Sequence, residues 1–476
     1  MNYYIRSLCS LMFFLICTIF YLGTSKNVYS ATLVNDVTRL TPAYVHRVDY
    51  PKTVQDVQAI VINAAQQGLK VSVCGTRYSQ GGHISYPNGI VIDLRKLNKI
   101  TAIDVVNKEL TVQTGATWEE IQRGIDGLGL ALKAMQSYHD FSVGGSLSVN
   151  AHGQDIKKPM VISCVKKIVM VMPDGSLKTC SREENANLFS AALGGYGLIG
   201  IMVEVVLELT ENSVLEKKTK RLKTSEYPAY FEKNIHGKNN VQLHSARLSM
   251  SPLSYLEDVL SITYFDATQE AIDVALKKQG NATRDKIAFF LLKKTYTANI
   301  LRPFLEENII EQNEIITRNN AMGSTIAGIS EYNSSDVNVL QEYFIPLDRY
   351  QECIKIFKKV LPDYRANVLN ITIRYVPKNT ESMLTYAPQD SFAFVLFINH
   401  KRTSTALENM RKMTRELINE INSIGGTYYL PYQLYATKEQ LNTIYPRFKE
   451  FLSLKKNVDP EERFVNHFYM HYKDTL

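Results

Sequence analysis

The chain has 476 residues, of which 45% are apolar, and a formal net charge of +7. This length exceeds what one hydrophobic core usually supports, so we expect two domains, and the composition excludes a disordered chain. A charge this modest, without a basic and aromatic cluster, argues against a nucleic-acid-binding protein.

The first 30 residues have the pattern of an export signal. Arg6 precedes an apolar run from Leu8 to Gly23, and small residues around Ser30 suit cleavage after that position. We expect an exported protein, either periplasmic or secreted. An uncleaved membrane anchor is the alternative that the apolar run leaves open.

The first half of the mature chain alternates helix and strand patterns. We predict a helix over 54–68, strands over 69–73, 89–94 and 109–115, a helix over 117–127 and a hairpin over 168–176. Thr53 is the expected N-cap of the first helix, and Thr117 with Glu120 forms a capping box for the second. The hairpin turns at Asp174-Gly175. This alternation predicts an α+β domain with a mixed sheet.

Three loops rich in glycine and small polar residues interrupt these elements, over 75–83, 142–153 and 193–200. Glycine permits a positive φ and a close approach to a ligand, so successive N–H groups can converge on an anion. One such loop is equally typical of a tight turn between strands. Three loops in one domain predict a shared site.

The second region begins near Glu211 with a charged run over 217–221. Strands are predicted over 341–346, 368–375 and 392–398, with helices over 347–360 and 405–424. They form a second α+β layer whose strand ends are placed to cover a ligand. The basic stretch 278–302 is either a solvated helix face or a contact with a membrane surface.

Cysteine and histidine spacing predicts no metal site. Cys74, Cys164, Cys180 and Cys353 include no CxxC pair, so we expect buried thiols, with a bridge between Cys164 and Cys180 as the alternative. His467 and His471 are four residues apart but lack a third ligand.

Together these segments resemble the vanillyl-alcohol-oxidase superfamily of flavoproteins, whose cofactor domain is the PCMH-type FAD-binding domain. The resemblance rests on the Gly-Thr-Arg-x-Ser loop from Gly75, the Val-Gly-Gly segment that ends in His152-Gly153, and the Gly-Gly-x-Gly block over 194–201. It covers most of residues 40–212 and the tail over 428–470.

The resemblance implies an α+β fold with a two-part PCMH-type FAD-binding domain, an α+β substrate (cap) domain and a C-terminal tail that returns to the flavin site. The expected segments are the signal or anchor at 1–30, the FAD-binding domain at 31–212, the cap at 213–427 and the completing tail at 428–476.

The first two motifs resemble those of sugar and aldonolactone oxidases, whereas the tail, with Asp459-Pro460, is more similar to decaprenylphosphoryl-ribose 2′-oxidase. Both groups oxidise a carbon that bears a hydroxyl. The resemblance therefore implies an FAD-dependent oxidoreductase that oxidises a CH–OH group of a sugar, sugar alcohol or aldonolactone by hydride transfer to flavin N5. The electron acceptor, O2 or another, stays open. The alternatives are a secreted FAD-binding protein without efficient turnover and a lipid-linked sugar oxidase at a membrane.

The cofactor contacts that the resemblance implies are Gly75, Thr76, Arg77, Tyr78, Ser79, Gln80, Gly81, Ser142, Val143, Gly144, Gly145, Asn150, Ala151, His152, Ile201 and Tyr429. Ile201 is expected near the adenine. Relatives with covalently attached flavin often carry a histidine where this chain has Tyr78, so we predict non-covalent FAD. His83 is the alternative point of attachment.

Four residues are predicted to act in catalysis: Tyr432, Arg374, His152 and Gln433. Tyr432, flanked by Gln433, takes the position of the family's lysine, as a hydrogen-bond donor or, with a lowered pKa, as a phenolate base. Arg374 is expected to hold the reduced flavin's charge or to anchor substrate oxygens, with a surface ion pair as the alternative. His152 is expected to donate to flavin or substrate oxygens, with a structural role as its alternative.

Overall fold

A computed structural model describes residues 31–268, 276, 313–326 and 333–474. The predicted export signal at 1–30 and the basic stretch 278–302 lie outside the described residues. Within the described ranges, no helix has both the length and the apolar character needed to cross a membrane.

The first region contains three sheets. Its strands are β1 (Thr32–Val34), β2 (Ala43–Val45), β3 (Arg47–Asp49), β4 (Val71–Cys74), β5 (Ile90–Asp93), β6 (Ile100–Asp104), β7 (Glu109–Gln113), β8 (Leu130–Leu132), β9 (Val165–Val171), β10 (Leu177–Ser181) and β11 (Ile201–Glu211). β1 pairs with β2, β3-β5-β4 form a small parallel sheet, and β10-β9-β11-β7-β6 form an antiparallel sheet with β8 beside β11. The α+β class is confirmed, but the predicted mixed sheet is corrected, because parallel and antiparallel pairing occur in separate sheets of the described residues.

Four helices accompany these sheets: α1 (Val54–Gln66), α2 (Trp118–Asp126), α3 (Val143–Ser148) and α4 (Ala186–Ala192). Short 3-10 turns cover Leu94–Lys96 and Val161–Cys164. Both expected caps are confirmed, since Thr53 and Thr117 each accept the N3 backbone N–H and complete a capping box. The second predicted loop is in part helical, because α3 begins directly after Ser142.

The second region is one eight-stranded antiparallel sheet in the order β15-β12-β14-β13-β17-β18-β16-β19. Its strands are β12 (Val214–Lys223), β13 (Val241–Leu248), β14 (Asp258–Asp266), β15 (Glu314–Thr317), β16 (Asp336–Pro346), β17 (Asn367–Val376), β18 (Ser391–Lys401) and β19 (Thr427–Tyr428). The charged run at 217–221 is the middle of β12 and pairs along its whole length with β14, whereas β15 pairs with β12 only as far as Lys217.

Helices cover one side of this sheet and build the tail. They are α5 (Tyr227–Asn234), α6 (Arg318–Met322), α7 (Tyr350–Asp363), α8 (Ser404–Ser423), α9 (Lys438–Ile444), α10 (Phe448–Val458) and α11 (His467–Tyr472), with a 3-10 turn at Leu347–Arg349. The predicted strands and helices of this region are confirmed. β16 is longer than the sequence pattern indicated, because its pairing with β18 continues through polar residues back to Asp336.

The C-terminal tail contacts both regions, as expected. At its start, Tyr428 pairs with Tyr343 of β16 and so extends the large sheet. Near its end, the Val71 N–H donates to the Arg463 carbonyl at 2.7 Å and the Val465 N–H donates to the Val71 carbonyl at 2.9 Å. The tail thus joins the edge of the small parallel sheet to the edge of the large one.

Two features of the buried core concern the second glycine-rich segment and the predicted thiols. The single tryptophan, Trp118, is fully buried on α2 and donates its indole N–H to Ser146 Oγ on α3 at 2.8 Å. The four described cysteines are buried and free, so the alternative bridge between Cys164 and Cys180 does not form.

Candidate active site

A cavity of about 720 Å³ lies between the glycine-rich segments of the first region and one face of the large sheet. Its volume is within the range of small-molecule sites, about 300–1,000 Å³. The first region contributes residues from all three predicted loops, and the large sheet contributes side chains from β13, β16, β17 and β18. The tail adds Tyr429, Pro431 and Tyr432. The expectation of one site shared by three loops is therefore met.

The first loop packs tightly against the second. A Cβ atom on Gly75 would lie 1.9 Å from Ser142 Oγ, so this position accepts only glycine without movement of the chain. The Ser142 N–H donates to Thr76 Oγ1 at 3.0 Å. Arg77 adopts a left-handed φ of 63°, and its guanidinium donates to the buried Asp93 carboxylate at 2.8 Å. These contacts anchor the loop to the end of β5.

The cofactor contact predicted for Gly81 is corrected by the structure. The N–H groups of Gly81 and Gly82 both donate to one carboxylate oxygen of Asp36, at 2.9 and 3.1 Å, and the Gln80 N–H donates to the Pro431 carbonyl at 3.0 Å. These amides already have an acceptor, so they are not available to a phosphate. The part of the loop that lines the cavity is the shorter segment 75–80.

The second and third segments also divide into lining and supporting residues. Ser142, Gly144, Gly145, Ala151 and His152 line the cavity. Val143 is fully buried in the core, and Asn150 is 2% exposed. Asn150 supports the turn, because its Oδ1 accepts from the Ile162 N–H at 3.2 Å and its carbonyl accepts from the Tyr386 hydroxyl at 2.7 Å.

The Ile201 side chain does not line the cavity. It packs in a small core cluster with Val57, Val61 and Phe464, whereas its neighbours Gly200 and Met202 line the cavity. Consecutive side chains of a strand such as β11 point to opposite faces, which explains the difference. The position of Ile201 near the adenine stays a prediction that concerns its backbone and its neighbours.

The cavity fits a large polar cofactor such as FAD. Ser79 Oγ and Gln136 Nε2 are buried polar atoms in its wall, and neither has a hydrogen-bond partner among the described residues. Buried polar atoms are nearly always paired, so these two require a ligand. Together with the close approach that Gly75 allows, they suit a pyrophosphate and a ring with polar edges.

Opposite the loops, Glu342 of β16 joins two side chains that the sequence analysis had named separately, His152 and Tyr432, and Arg374 lies nearby. Its Oε1 lies 2.5 Å from His152 Nε2, and its Oε2 accepts from the Tyr432 hydroxyl at 3.0 Å. His152 and Glu342 are only 3% and 4% exposed. Arg374 donates to the His152 carbonyl at 3.3 Å and to Ser137 Oγ at 2.6 Å.

Sequence reasoning missed Glu342, which it treated only as part of a strand. The available signal was its place in an apolar strand, directly before Tyr343, Phe344 and Ile345, since acidic residues are rarely buried unless they are paired. Its partners are far apart in sequence, and only the folded chain brings them together.

This environment determines which groups carry charge. Burial alone would raise the pKa of Glu342, but the neighbouring His152 imidazole and the Arg374 guanidinium hold the pKa of its carboxyl below the usual value. Burial, and then the adjacent Glu342 carboxylate, raise the pKa of Tyr432 well above its ordinary range. The prediction of Tyr432 as a phenolate base is therefore wrong, whereas its alternative as a hydrogen-bond donor agrees with the structure.

The tail residues Tyr429 and Gln433 have different surroundings. Tyr429 lines the cavity and donates its hydroxyl to the Val149 carbonyl at 2.7 Å, so it supports the second loop. Gln433, predicted to be catalytic, donates its side-chain amide to Thr38 Oγ1 at 3.2 Å and lies outside the described cavity lining. The prediction for Gln433 is corrected, because it turns away from the neighbouring Tyr432.

Tyr78 lines the cavity and stacks on Phe141, with ring centroids 4.5 Å apart. His83 is buried with Nε2 3.1 Å from the Leu430 carbonyl, and burial lowers the pKa of its imidazole to about 3. His467 and His471 both lie on α11. In the described ranges, no group of three or more metal-ligating side chains comes together.

Comparison with known proteins gives two family matches. Residues 45–181 match an FAD binding domain, and residues 260–472 match D-arabinono-1,4-lactone oxidase. L-gulonolactone oxidase of Mus musculus is 24% identical over 426 residues, which cover 87% of this chain and 92% of that protein. D-arabinono-1,4-lactone oxidase of Yarrowia lipolytica is 29% identical over 161 residues, covering 33% of this chain and 30% of that protein. L-galactono-1,4-lactone dehydrogenase of Arabidopsis thaliana is 27% identical over 169 residues, covering 36% and 28% respectively.

The fold, the cavity and the first match agree that the chain contains an FAD binding domain, and they are consistent with the predicted resemblance to flavoproteins with a PCMH-type domain. FAD is its cofactor. The second match includes the large sheet from β14 onward and nearly all of the tail. The protein is accordingly an FAD-dependent oxidoreductase similar to the aldonolactone oxidases.

Proposed function

We propose that the protein oxidises a CH–OH group of a sugar, a sugar alcohol or an aldonolactone. The observation that carries this proposal is the single cavity in which a glycine-rich cradle faces Glu342, Tyr432 and Arg374. The relatives support the substrate class, since they are named for gulono-, arabinono- and galactono-lactones.

FAD, when bound, supplies the acceptor for a hydride at its N5 atom. In this proposal the segment 75–80 holds the pyrophosphate with backbone N–H groups and the Ser79 hydroxyl, and Gln136 donates to a polar edge of the cofactor. Arg374 anchors substrate oxygens, because its guanidinium is fixed by Ser137 and the His152 carbonyl and lines the cavity.

The sheet face that closes the cavity suits a molecule with several hydroxyls. Strand register places Arg247, Thr372, Val395 and Glu342 side by side across β13, β17, β18 and β16. Ser245, Asn338 and Asn370 also line the cavity from the same strands. Hydroxyl and amide side chains both donate and accept hydrogen bonds, as the hydroxyls of a sugar do. Val395 and Phe397 provide apolar surface for its C–H groups.

The test is an anaerobic screen of the purified holoenzyme against aldonolactones, alditols and sugars, with loss of the oxidised-flavin absorbance as the signal. Bleaching by a member of the panel supports the proposal and identifies the substrate. No bleaching across the panel, with FAD bound, contradicts it and favours the alternative of an FAD-binding protein without efficient turnover. Bleaching only by a lipid-linked sugar in vesicles favours the membrane alternative.

We also propose export of the mature protein, on the basis of the charged, apolar and small-residue pattern in residues 1–30. Terminal sequencing after expression in a secreting host checks this. A chain that begins at Ala31 supports cleavage, whereas a retained Met1 in a membrane fraction supports the anchor.

A further inference from the structure

We propose that Glu342 is the proton acceptor of the oxidation and that the Tyr432 hydroxyl delivers the substrate's proton to it. This inference rests on the proposed function, because it concerns the proton that leaves the substrate hydroxyl. It assigns a role to a residue that no sequence motif identified.

The first argument is accessibility. Tyr432 and Glu342 both line the cavity, but Tyr432 is half-buried whereas the Glu342 side chain is only 3% exposed, so Tyr432 presents the larger surface to a substrate. The Tyr432 hydroxyl donates to Glu342 Oε2 at 3.0 Å, within the range of a good hydrogen bond. A substrate hydroxyl that hydrogen-bonds to the Tyr432 oxygen is therefore connected to the carboxylate through one phenol.

The second argument is charge. An ionised carboxylate only accepts hydrogen bonds, so the hydrogen between Glu342 Oε1 and His152 Nε2 belongs to the imidazole. Tyr432 likewise donates to the other oxygen, and Arg374 lies near enough to favour the anion. Each partner stabilises the charged carboxylate, which is the form that can take a proton.

The third argument excludes the neighbouring bases. His152 Nε2 is committed to Glu342, and its Nδ1 is buried from solvent and has no partner among the described residues. Burial, and then the negative charge of Glu342 beside it, raise the pKa of Tyr432 and keep it neutral. His152 is therefore a positioning residue that orients and stabilises the Glu342 carboxylate, and Tyr432 is the catalytic residue that contacts the substrate.

The step balances. FAD, when bound, would be the two-electron oxidant, so the substrate C–H bond would break with its electron pair leaving as hydride to the flavin. The substrate O–H proton moves to the Tyr432 oxygen while the phenol's own proton moves to Glu342 Oε2. The C–O bond becomes C=O, Tyr432 ends unchanged, and Glu342 ends as a neutral acid.

The first test compares anaerobic flavin reduction in three variants, using a substrate that reduces the wild-type holoenzyme. Glu342→Gln retains the shape of the side chain but removes the base, so the reduction rate constant should fall about 10²–10⁴-fold. Tyr432→Phe should give a loss of the same order. The double variant should lose little more than either single variant, because both residues serve one transfer.

Tyr435→Phe is the matched control. Tyr435 lies three residues after Tyr432, is buried and is outside the lining of the 720 Å³ cavity, so its reduction rate should equal that of wild type. The FAD content of every variant is measured by absorbance. An unchanged rate in FAD-loaded Glu342→Gln overturns the inference, and an unchanged rate in Tyr432→Phe overturns it independently if the first variant does not fold.

The second test reads the proton directly. Infrared difference spectra of substrate reduction should show the carbonyl stretch of a neutral carboxylic acid in the wild type, and this band should be absent from Glu342→Gln. A band that persists in the variant overturns the inference. If the wild type is not reduced by any compound of the panel, the proposed function fails instead, and the two failures are thereby distinguished.

The third test uses pH. The ionisable groups facing the Glu342 carboxylate are His152 after α3, Arg374 on β17, Tyr386 before β18, and Tyr429, Tyr432 and Tyr445 in the tail. His152→Asn removes the partner that most strongly favours the anion, so the low-pH fall in the reduction rate should move to higher pH. A merely structural role would lower the rate without shifting this profile, and that result contradicts the proposal.

Discussion

The two walls of the cavity are built differently. The cofactor wall consists of short consecutive segments in which backbone groups and small residues do the work, as in 75–80 and around Ser142. The substrate wall consists of single side chains that come from four strands and the tail, with Glu342 linking His152 to Tyr432. A cofactor common to many proteins is recognised by a local motif, whereas the substrate is recognised by side chains that the sheet register brings together.

The walls also differ in how they tolerate change. Substitutions in the cofactor wall are limited by space, because a Cβ atom on Gly75 would overlap Ser142. Substitutions in the substrate wall are limited by charge, because the buried Glu342 carboxylate depends on the hydrogen bonds that its neighbours donate. Substitutions should therefore separate FAD content from turnover, and four experiments test that separation from the largest expected effect to the smallest.

The largest effect is expected where the tail joins the two walls. Lys455 and Asp459 form a fully buried ion pair, and Asp459 also accepts from the N–H groups of Arg463 and Phe464. Asp459→Ala leaves a buried charge unpaired, which should lower the free energy of unfolding by about 3–5 kcal/mol. Urea unfolding measures this change in the free energy of unfolding. As control, Arg447→Ala removes an exposed ion pair with Glu450 and should cost less than about 1 kcal/mol.

Arg374→Ala should act on the substrate wall. Loss of a charged hydrogen-bond donor costs about 1.5–3 kcal/mol, so the substrate concentration for half-maximal flavin reduction should rise roughly ten- to hundredfold. FAD content should not change. Arg411→Ala, at an exposed ion pair with Glu408, is the matched control. An unaltered substrate dependence in Arg374→Ala would contradict the anchoring role and leave this residue with only its hydrogen bonds to Ser137 and the His152 carbonyl.

Gly75→Ala should act on the cofactor wall. The added methyl group has no room, and overpacking of this kind costs about 1–3 kcal/mol. The Kd of FAD should rise by roughly five- to a hundredfold, as measured by fluorescence titration of the apoprotein. Gly127→Ala is the control, because a Cβ there meets no atom within 4 Å. Equal FAD affinity in both variants would mean that the first loop does not hold the cofactor.

The last experiment asks whether FAD is covalently attached to the chain, and here we expect no change in the polypeptide. Because Tyr78 stands where relatives carry a flavin-linking histidine, acid precipitation should release all of the FAD and leave the mass of the polypeptide unchanged. The measurement is the flavin absorbance of the supernatant together with the mass of the intact chain. Flavin that stays with the precipitate would contradict non-covalent binding and would direct attention to His83.

Sequence patterns predicted most of the fold because they are local. The capping boxes at Thr53 and Thr117, the hairpin turn at Asp174-Gly175 and the three predicted strands of the large sheet depend on neighbouring residues and are all present. The errors occurred where a neighbouring chain segment decides the outcome. Gly81 was assigned to the cofactor because the motif cannot show that Asp36 already binds its N–H.

By itself, the sequence determined the class of protein, its cofactor and the loops that form the cofactor wall, since these depend on glycines and small residues at fixed short spacings. Tertiary structure alone decided the substrate wall. It buried Glu342 between His152 and Tyr432, residues that are 190 and 90 positions away along the chain, and it turned Gln433 toward Thr38. The physical reason is that charge and proton affinity depend on neighbours in space, which only strand register and the return of the tail establish.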